Sequence, residues 1–111
     1  MIYKRGDIVW VNFPLSDASS GKVRPARIIS NDTIKTTGDY LLMQITTRLR
    51  NDSLSLVISQ TDYNEDLLLK QSELRLHKIF ILHESLIASK ITSVHDLFMA
   101  AVINKLLLHL S

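Results

Sequence analysis

The stretch "DYLLMQITT", Asp39 to Thr47, decides how the rest of the sequence is interpreted. Its apolar residues are nearly continuous, which is typical of a strand that is buried on both faces in the middle of a sheet. Further apolar or alternating runs on either side of it predict the neighbouring strands. These runs are Asp7 to Phe13, Pro25 to Ser30, Leu54 to Ser59 and Glu73 to Leu82.

The last segment of the chain predicts the clearest helix. Apolar residues recur at helical spacing from Val94 to Leu110, and Ser93 with Asp96 predicts a capping box at the start. The apolar residues cover more than half of the helix surface, so a homodimer is one hypothesis for what buries them. Several strands followed by one helix, without β-α-β alternation, predict an α+β domain around a small, strongly twisted antiparallel sheet or partial barrel.

Length and composition narrow the class of protein. The 111 residues predict a single domain, residues 1–111. A net charge of +2 is compatible with an anionic partner without requiring one. The absence of cysteine excludes disulfides and thiolate metal sites. We expect a cytoplasmic protein without a membrane segment, because the N-terminal "MIYKRGD" has no apolar signal core and no apolar run reaches spanning length.

The candidate chemistry lies at strand ends. The four histidines lack the paired spacing of metal ligands and the three glycines form no phosphate loop, so we expect no metal and no cofactor. Pro25 favours an extended Arg24, and Arg48 directly follows Thr46 and Thr47. If the two strands pair, these groups converge into a phosphate site. The alternative is that Thr simply favours strands and Arg often flanks them.

Four segments resemble one known family, the PemK/MazF-like toxins of bacterial type II toxin–antitoxin modules. They are "KRGDIVWVNFPLSD", "GKVRPARIISND", "LLMQITTRL" and "QSELRLHKIFIL", and the resemblance extends from about Lys4 to Ile91. The most specific parts are Gly6-Asp7, Arg24-Pro25-Ala26 and Ile45-Thr46. Their order and spacing together carry the resemblance.

The resemblance implies an SH3-like β-barrel with a C-terminal helix, usually homodimeric. It also implies a metal-independent, sequence-preferring endoribonuclease for single-stranded RNA, blocked by a cognate antitoxin. In such toxins the RNA 2′-hydroxyl attacks the adjacent phosphate and leaves a 2′,3′-cyclic phosphate and a 5′-hydroxyl. Arg24 matches the family's loop-end arginine and Thr46 its strand-end hydroxyl, which implies that both are catalytic. Lys22, Thr47 and Arg48 are neighbours that would contact RNA.

Three points stay open at this stage. Ser19 stands where some family members carry a glutamate, so no residue is assigned as the general base. Arg75 is either an RNA contact or a solvated charge on a strand face. The alternatives to a ribonuclease are a toxin-fold protein that binds a target such as DNA gyrase, and a decayed toxin that retains only antitoxin binding. The ending "KLLLHLS" lacks the Trp-Gly-hydrophobic terminus of the gyrase binders.

Overall fold

The computed structural model describes residues 3–12, 23–63 and 71–110. Within these described ranges the chain forms six strands, two α-helices and two short 3₁₀ turns, the turns at Gln60–Asp62 and Glu84–Leu86. The helices are α1 (Asp32–Lys35) and α2 (Asp96–Leu108). The strands are β1 (Asp7–Asn12), β2 (Val23–Ile28), β3 (Asp39–Thr46), β4 (Ser55–Val57), β5 (Glu73–His83) and β6 (Ile87–Ser93).

All six strands join one antiparallel sheet in the order β4-β5-β3-β2-β1-β6. The α+β class is therefore confirmed, with an antiparallel sheet and a C-terminal helix. Among the described residues the sheet is open, and one isolated bridge between Tyr63 and Val94 connects the β4 side to the β6 side. A closed SH3-like barrel is not confirmed by this pairing.

The sheet buries apolar side chains on both of its faces, and β3 contributes to each. Tyr40 and Leu42 belong to one core, while Met43 and Ile45 belong to the other. The second core is covered by α2, through Phe98 and Val102. The nearly continuous apolar pattern of β3 thus has the physical cause that the sequence predicted, namely burial on both faces.

Two elements were not predicted. The polar residues after Ile28 form α1, in which the Asn31 side chain accepts hydrogen bonds from the backbone N–H groups of Thr33 and Ile34. The strand β6 was not predicted because only three of its seven residues are buried, so its sequence does not alternate clearly. It is a strand because it pairs with β1.

The predicted capping box of the last helix is wrong. Ser93 is the last residue of β6, and the helix begins two residues later with His95 as its N-cap. The backbone N–H of His95 donates to Asp62 O at 2.8 Å, which ties the start of the helix to the turn after β4. Pairing with β1 extends β6 through Ser93, so the helix begins later in the sequence than predicted.

Within residues 3–12, 23–63 and 71–110, neither helix has the length and apolar character needed to cross a membrane.

Candidate active site

The end of β3 supports a polar cleft. Thr46, the last residue of the strand, is half-buried and pairs with Glu73 on β5. The Thr46 hydroxyl oxygen accepts a hydrogen bond from the Arg48 backbone N–H at 3.1 Å. Since this contact uses only a lone pair, the hydroxyl hydrogen can still be donated to another acceptor. The same turn leaves Thr47 and Arg48 exposed.

A large irregularity in β5 forms the opposite wall. The β3–β5 pairing steps from Met43↔Ile79 to Ile45↔Leu74, so one residue of β3, Gln44, faces a longer stretch of β5. That stretch consists of Arg75, Leu76, His77 and Lys78. Bulges redirect side chains and are common beside active sites. Here the bulge buries Arg75 and Leu76 and exposes the two residues that follow.

The two strands and the loop after β3 enclose a cleft of about 330 Å³. Each side chain described in its wall is polar or charged, a composition suited to a polar or ionic ligand. The wall consists of Gln44, Thr46, Arg50, Asp52, Arg75, His77 and Lys78.

An ion-pair network fixes the floor of this cleft. Arg75 Nη1 lies 2.9 Å from Asp52 Oδ1 and 3.1 Å from Glu73 Oε2, and Nη2 lies 3.2 Å from Asp52 Oδ2. Ser55 Oγ accepts from Arg75 at 2.7 Å and donates to Glu73 Oε2 at 2.6 Å. Arg75 is therefore not a solvated charge on a strand face, because it is buried and paired with two carboxylates. The alternative that it contacts RNA stays a prediction.

The network also anchors the loop between β3 and β4. Glu73 is fully buried, and its Oε1 accepts from the Arg50 backbone N–H at 3.1 Å. Asp52 belongs to the same loop and binds Arg75 from the other side. The backbone contacts hold Arg50 in the wall of the cleft, where its guanidinium and the Lys78 ammonium contribute exposed positive charge.

The titratable groups of the cleft have shifted pKa values. Hydrogen bonds from Arg75 and Ser55 hold the pKa of Asp52 well below its usual range. Burial raises the pKa of Glu73, but hydrogen bonds from Ser55, the Arg50 backbone and Arg75 outweigh it and leave the pKa lowered. Both carboxylates are therefore charged at neutral pH.

The pKa of the His77 imidazole is also lowered, which for a base favours the neutral form. Its pKa lies below the usual 6.5, chiefly because the cleft partly desolvates the ring and then because Arg75 and Lys78 are nearby cations. The negative charge of Asp52 offsets part of this effect. His77 is thus mainly neutral at pH 7, although it stays exposed to solvent.

The predicted site residues are only partly brought together. Thr46 lines the cleft, whereas Arg24, Thr47 and Arg48 lie outside its described wall. Arg24 is exposed on β2 and pairs with Val11. The β2–β3 pairing ends at Ala26↔Gln44, and the same register continued by two residues would set Arg24 opposite Thr46. The predicted RNA contact Lys22 lies outside the described residues.

Several wall residues were missed by the sequence interpretation. Gln44, Arg50, Asp52, His77 and Lys78 were not predicted as site residues. The alternation of polar and apolar residues in "ELRLHK" indicated exposed positions on a strand, but not the bulge that directs them into a cleft. Within the described part of the chain, no three acidic or histidine side chains are grouped in a way that could hold a metal ion.

A comparison with protein families decides the membership of the chain. The model of the PemK-like, MazF-like toxins of type II toxin–antitoxin systems matches residues 4–110. The chain belongs to this family. The match includes both walls of the cleft and the segment that carries Arg24.

Solved structures confirm the fold of this PemK/MazF-like toxin. A MazE–MazF complex from Deinococcus radiodurans gives a TM-score of 0.76 at 20% identity, with 96% of this chain and 94% of that chain covered. An endoribonuclease in complex with its cognate antitoxin, from a mycobacterial species, gives 0.74 at 16% identity, covering 95% and 91%. The Mycobacterium tuberculosis toxin MazF-mt6 gives 0.70 at 13%, covering 90% and 91%. No curated protein matches the sequence of the toxin.

Proposed function

We propose that this protein is the toxin of a type II toxin–antitoxin module and a metal-independent, sequence-preferring endoribonuclease. It cleaves single-stranded RNA to 2′,3′-cyclic phosphate and 5′-hydroxyl ends, which inhibits translation and growth. The observation that carries the proposal is the polar, cation-bearing cleft at the end of β3, with Thr46 in its wall. Family membership and the fold shared with structures described as endoribonucleases support it.

Arg24 and Thr46 would act on the reacting phosphate. As the 2′-oxygen attacks, negative charge builds on the equatorial oxygens of phosphorus, and preoriented donors stabilise that state more than the ground state. The Thr46 hydroxyl can donate to one of these oxygens because its lone pair already accepts from Arg48 N–H. The Arg24 guanidinium would reach the same phosphate from the adjacent strand, in the register that extends Ala26↔Gln44.

The rest of the substrate would lie along the neighbouring positive groups. Thr47 and Arg48 are exposed directly after β3, and we assign them, with Lys22, to contacts with the RNA backbone or bases. Single-stranded RNA fits this role because its bases can be splayed out and bound one by one.

The partners follow from the same family assignment. Among the similar structures, a mycobacterial endoribonuclease is in complex with its cognate antitoxin and a MazF from Deinococcus radiodurans is in complex with MazE, and we propose a cognate antitoxin for this chain. We also propose a homodimer, which the exposed apolar side chains of α2 and its end support: Ile103, Leu107, Leu108 and Leu110. The proposal includes a single cytoplasmic domain whose sheet closes as an SH3-like barrel, and the Tyr63–Val94 bridge supports the closure.

RNA cleavage by wild type and Arg24→Ala, in excess chelator, tests the proposal. Purified protein is added to a long single-stranded RNA and the cut ends are mapped. We expect discrete cuts with cyclic-phosphate ends, and a loss of about 100- to 1000-fold in kcat for Arg24→Ala, the usual effect of removing one such donor.

Arg5→Ala is the matched control. Arg5 is exposed and precedes β1, at the opposite end of that strand from the pair Val11↔Arg24. It should cut as the wild type does. Intact RNA after incubation with folded wild type would overturn the ribonuclease and leave a non-catalytic toxin that binds gyrase or only its antitoxin.

A further inference from the structure

We propose that His77 is the general base of this ribonuclease and removes the proton from the RNA 2′-hydroxyl. The inference rests on the proposed function and supplies the group that the sequence left unassigned. Three independent features of the structure carry it: the position of His77, the state of its ring nitrogens, and the charges around it.

The position of His77 is set by the bulge in β5. With Gln44 alone facing Arg75 to Lys78, the strand cannot keep its regular pairing, and His77 is directed into the cleft. Thr46 lies in the same cleft at the end of β3. A phosphate bound to the Thr46 hydroxyl would place the ribose that carries the attacking 2′-hydroxyl, which is joined to that phosphate through its 3′-oxygen, in the cleft that His77 borders.

The ring nitrogens of His77 are available to a ligand. Within the described part of the chain they have no hydrogen-bond partner, whereas His83 Nδ1 contacts Ser85 Oγ at 2.9 Å and His109 Nε2 contacts Ser53 O at 3.0 Å. Because the ring of His77 is exposed, its nitrogens are open to solvent and to a ligand. His77 is thus presented on a cleft wall with its nitrogens available.

The surrounding groups leave His77 as the suitable base. Among the residues that the structure describes, the charged groups that face it are Arg75 and Lys78 on β5, and Arg50 and Asp52 on the loop after β3. Arginine is always protonated and cannot accept a proton. Asp52 is held by Arg75, and its lowered pKa makes it a weak base. The lowered pKa of His77 keeps its imidazole neutral at pH 7, the form that a general base needs.

The proposed step balances as a transesterification. The 2′-hydroxyl proton passes to a nitrogen of His77 as the 2′-oxygen forms a bond to phosphorus. The bond between phosphorus and the 5′-oxygen breaks, and that oxygen leaves with the electron pair and takes a proton from water. The imidazolium then returns its proton to solvent. The products are a 2′,3′-cyclic phosphate and a 5′-hydroxyl, with no net change in protons.

The pH dependence of cleavage by wild type and His77→Gln tests the inference. A base must be unprotonated, so kcat/KM of the wild type should rise with pH through an apparent pKa below 6.5 and then level off. His77→Gln should lose about 100-fold or more in kcat/KM and should lose this acid limb. A merely structural role would lower the rate but leave the acid limb in place, and that result would overturn the inference.

His95→Gln is the matched control. His95 is exposed at the N-cap of α2, and its side chain makes no capping hydrogen bond. It should keep both the rate and the pH profile of the wild type. If the wild type cuts RNA and depends on Arg24 while His77→Gln keeps its acid limb, only the base assignment fails. If the wild type does not cut RNA, the proposed function itself fails.

A binding measurement on the wild type keeps the test independent of the variant's folding. The imidazole protons of His77 are followed by NMR during a pH titration and during addition of an oligonucleotide with 2′-deoxy substitutions, which cannot react. We expect a titration midpoint below 6.5 and a shift of the His77 signal on binding. A midpoint above 6.5, or no response to the oligonucleotide when other signals of the cleft respond, would contradict the role.

Discussion

The backbone conformation at Gly6 explains why the Gly6-Asp7 motif requires glycine at its first position. Its φ of +100° belongs to the region that glycine adopts readily and other residues avoid. Its N–H donates to Ile28 O at 2.9 Å, and its carbonyl accepts from Val94 N at 3.0 Å. An added Cβ would lie 2.9 Å from the Val94 carbonyl oxygen. Gly6 therefore links the end of β2 to the residue that follows β6, at a point where a side chain has no room.

Gly6→Ala should destabilise the protein through both strain and crowding. We expect the free energy of unfolding to fall by about 1–3 kcal/mol, the usual cost of a non-glycine residue in such a conformation. Urea denaturation at pH 7 measures it. Arg5→Ala, at an exposed neighbouring position, should change the value by less than about 0.5 kcal/mol. A loss for Gly6→Ala no larger than that of Arg5→Ala would contradict the explanation.

The candidate site could be predicted from the sequence only where it depends on strand ends. Thr46 ends an apolar strand and matches the family motif, and the structure places it in the cleft wall. His77 could not be found in this way, because its direction depends on extra residues in β5 that no local pattern marks. Arg50 reaches the cleft through a backbone contact with Glu73, a residue distant in sequence.

At the scale of elements, the loop after β3 is held to the sheet by charge. Asp52 on the loop and Glu73 on β5 both bind Arg75, and each carboxyl has a lowered pKa. A carboxylate with a depressed pKa in the folded state stabilises that state above its unfolded pKa, here 3.8 for Asp52. This stability is lost as the pH falls through the folded value, because protonation breaks the ion pair.

Asp52→Asn should therefore flatten the acid dependence of stability. The free energy of unfolding, from urea denaturation at pH 7 and pH 3, should fall less between the two pH values in Asp52→Asn than in the wild type, because one titrating group is gone. The variant should also be less stable at pH 7, since Arg75 loses a partner. Ser53→Ala, in the same loop, should keep the wild-type difference. An unchanged difference in Asp52→Asn would show that Asp52 is not ion-paired in solution.

The elements themselves were predicted with unequal success for a physical reason. The apolar strands β1, β2, β3 and β5 carry their own signal, because burial on the sheet requires apolar side chains. The strand β6 was missed because it lies at the sheet edge and exposes much of its surface, and its pairing with β1 is a tertiary contact. The helix was predicted to start too early, at Ser93, for the same reason: the pairing that keeps Ser93 in β6 is a tertiary contact with β1.

At the scale of the whole molecule, the proposed RNA binding has to rely on local charge. A net charge of +2 over 111 residues produces little long-range attraction, and Asp52 and Glu73 offset Arg75 beside the cleft. The affinity would then come from a few exposed cations at the end of β3, among them Arg48 and Arg50. Each cation that neutralises a phosphate releases a counterion, and this makes binding depend on salt.

Arg48→Gln should reduce the salt dependence of binding by an amount that corresponds to one phosphate contact. For a 2′-fluoro single-stranded oligonucleotide, which binds but is not cleaved, the logarithm of the association constant falls linearly with the logarithm of salt concentration. Fluorescence anisotropy at several salt concentrations gives the slope. Losing one phosphate contact should make it shallower by about 0.7. Lys35→Gln, in α1 before the Asp39 end of β3, should leave the slope unchanged because that end lies far from Thr46. Equal slopes for wild type and Arg48→Gln would mean that Arg48 contacts no phosphate, and the RNA path would have to leave the cleft in another direction.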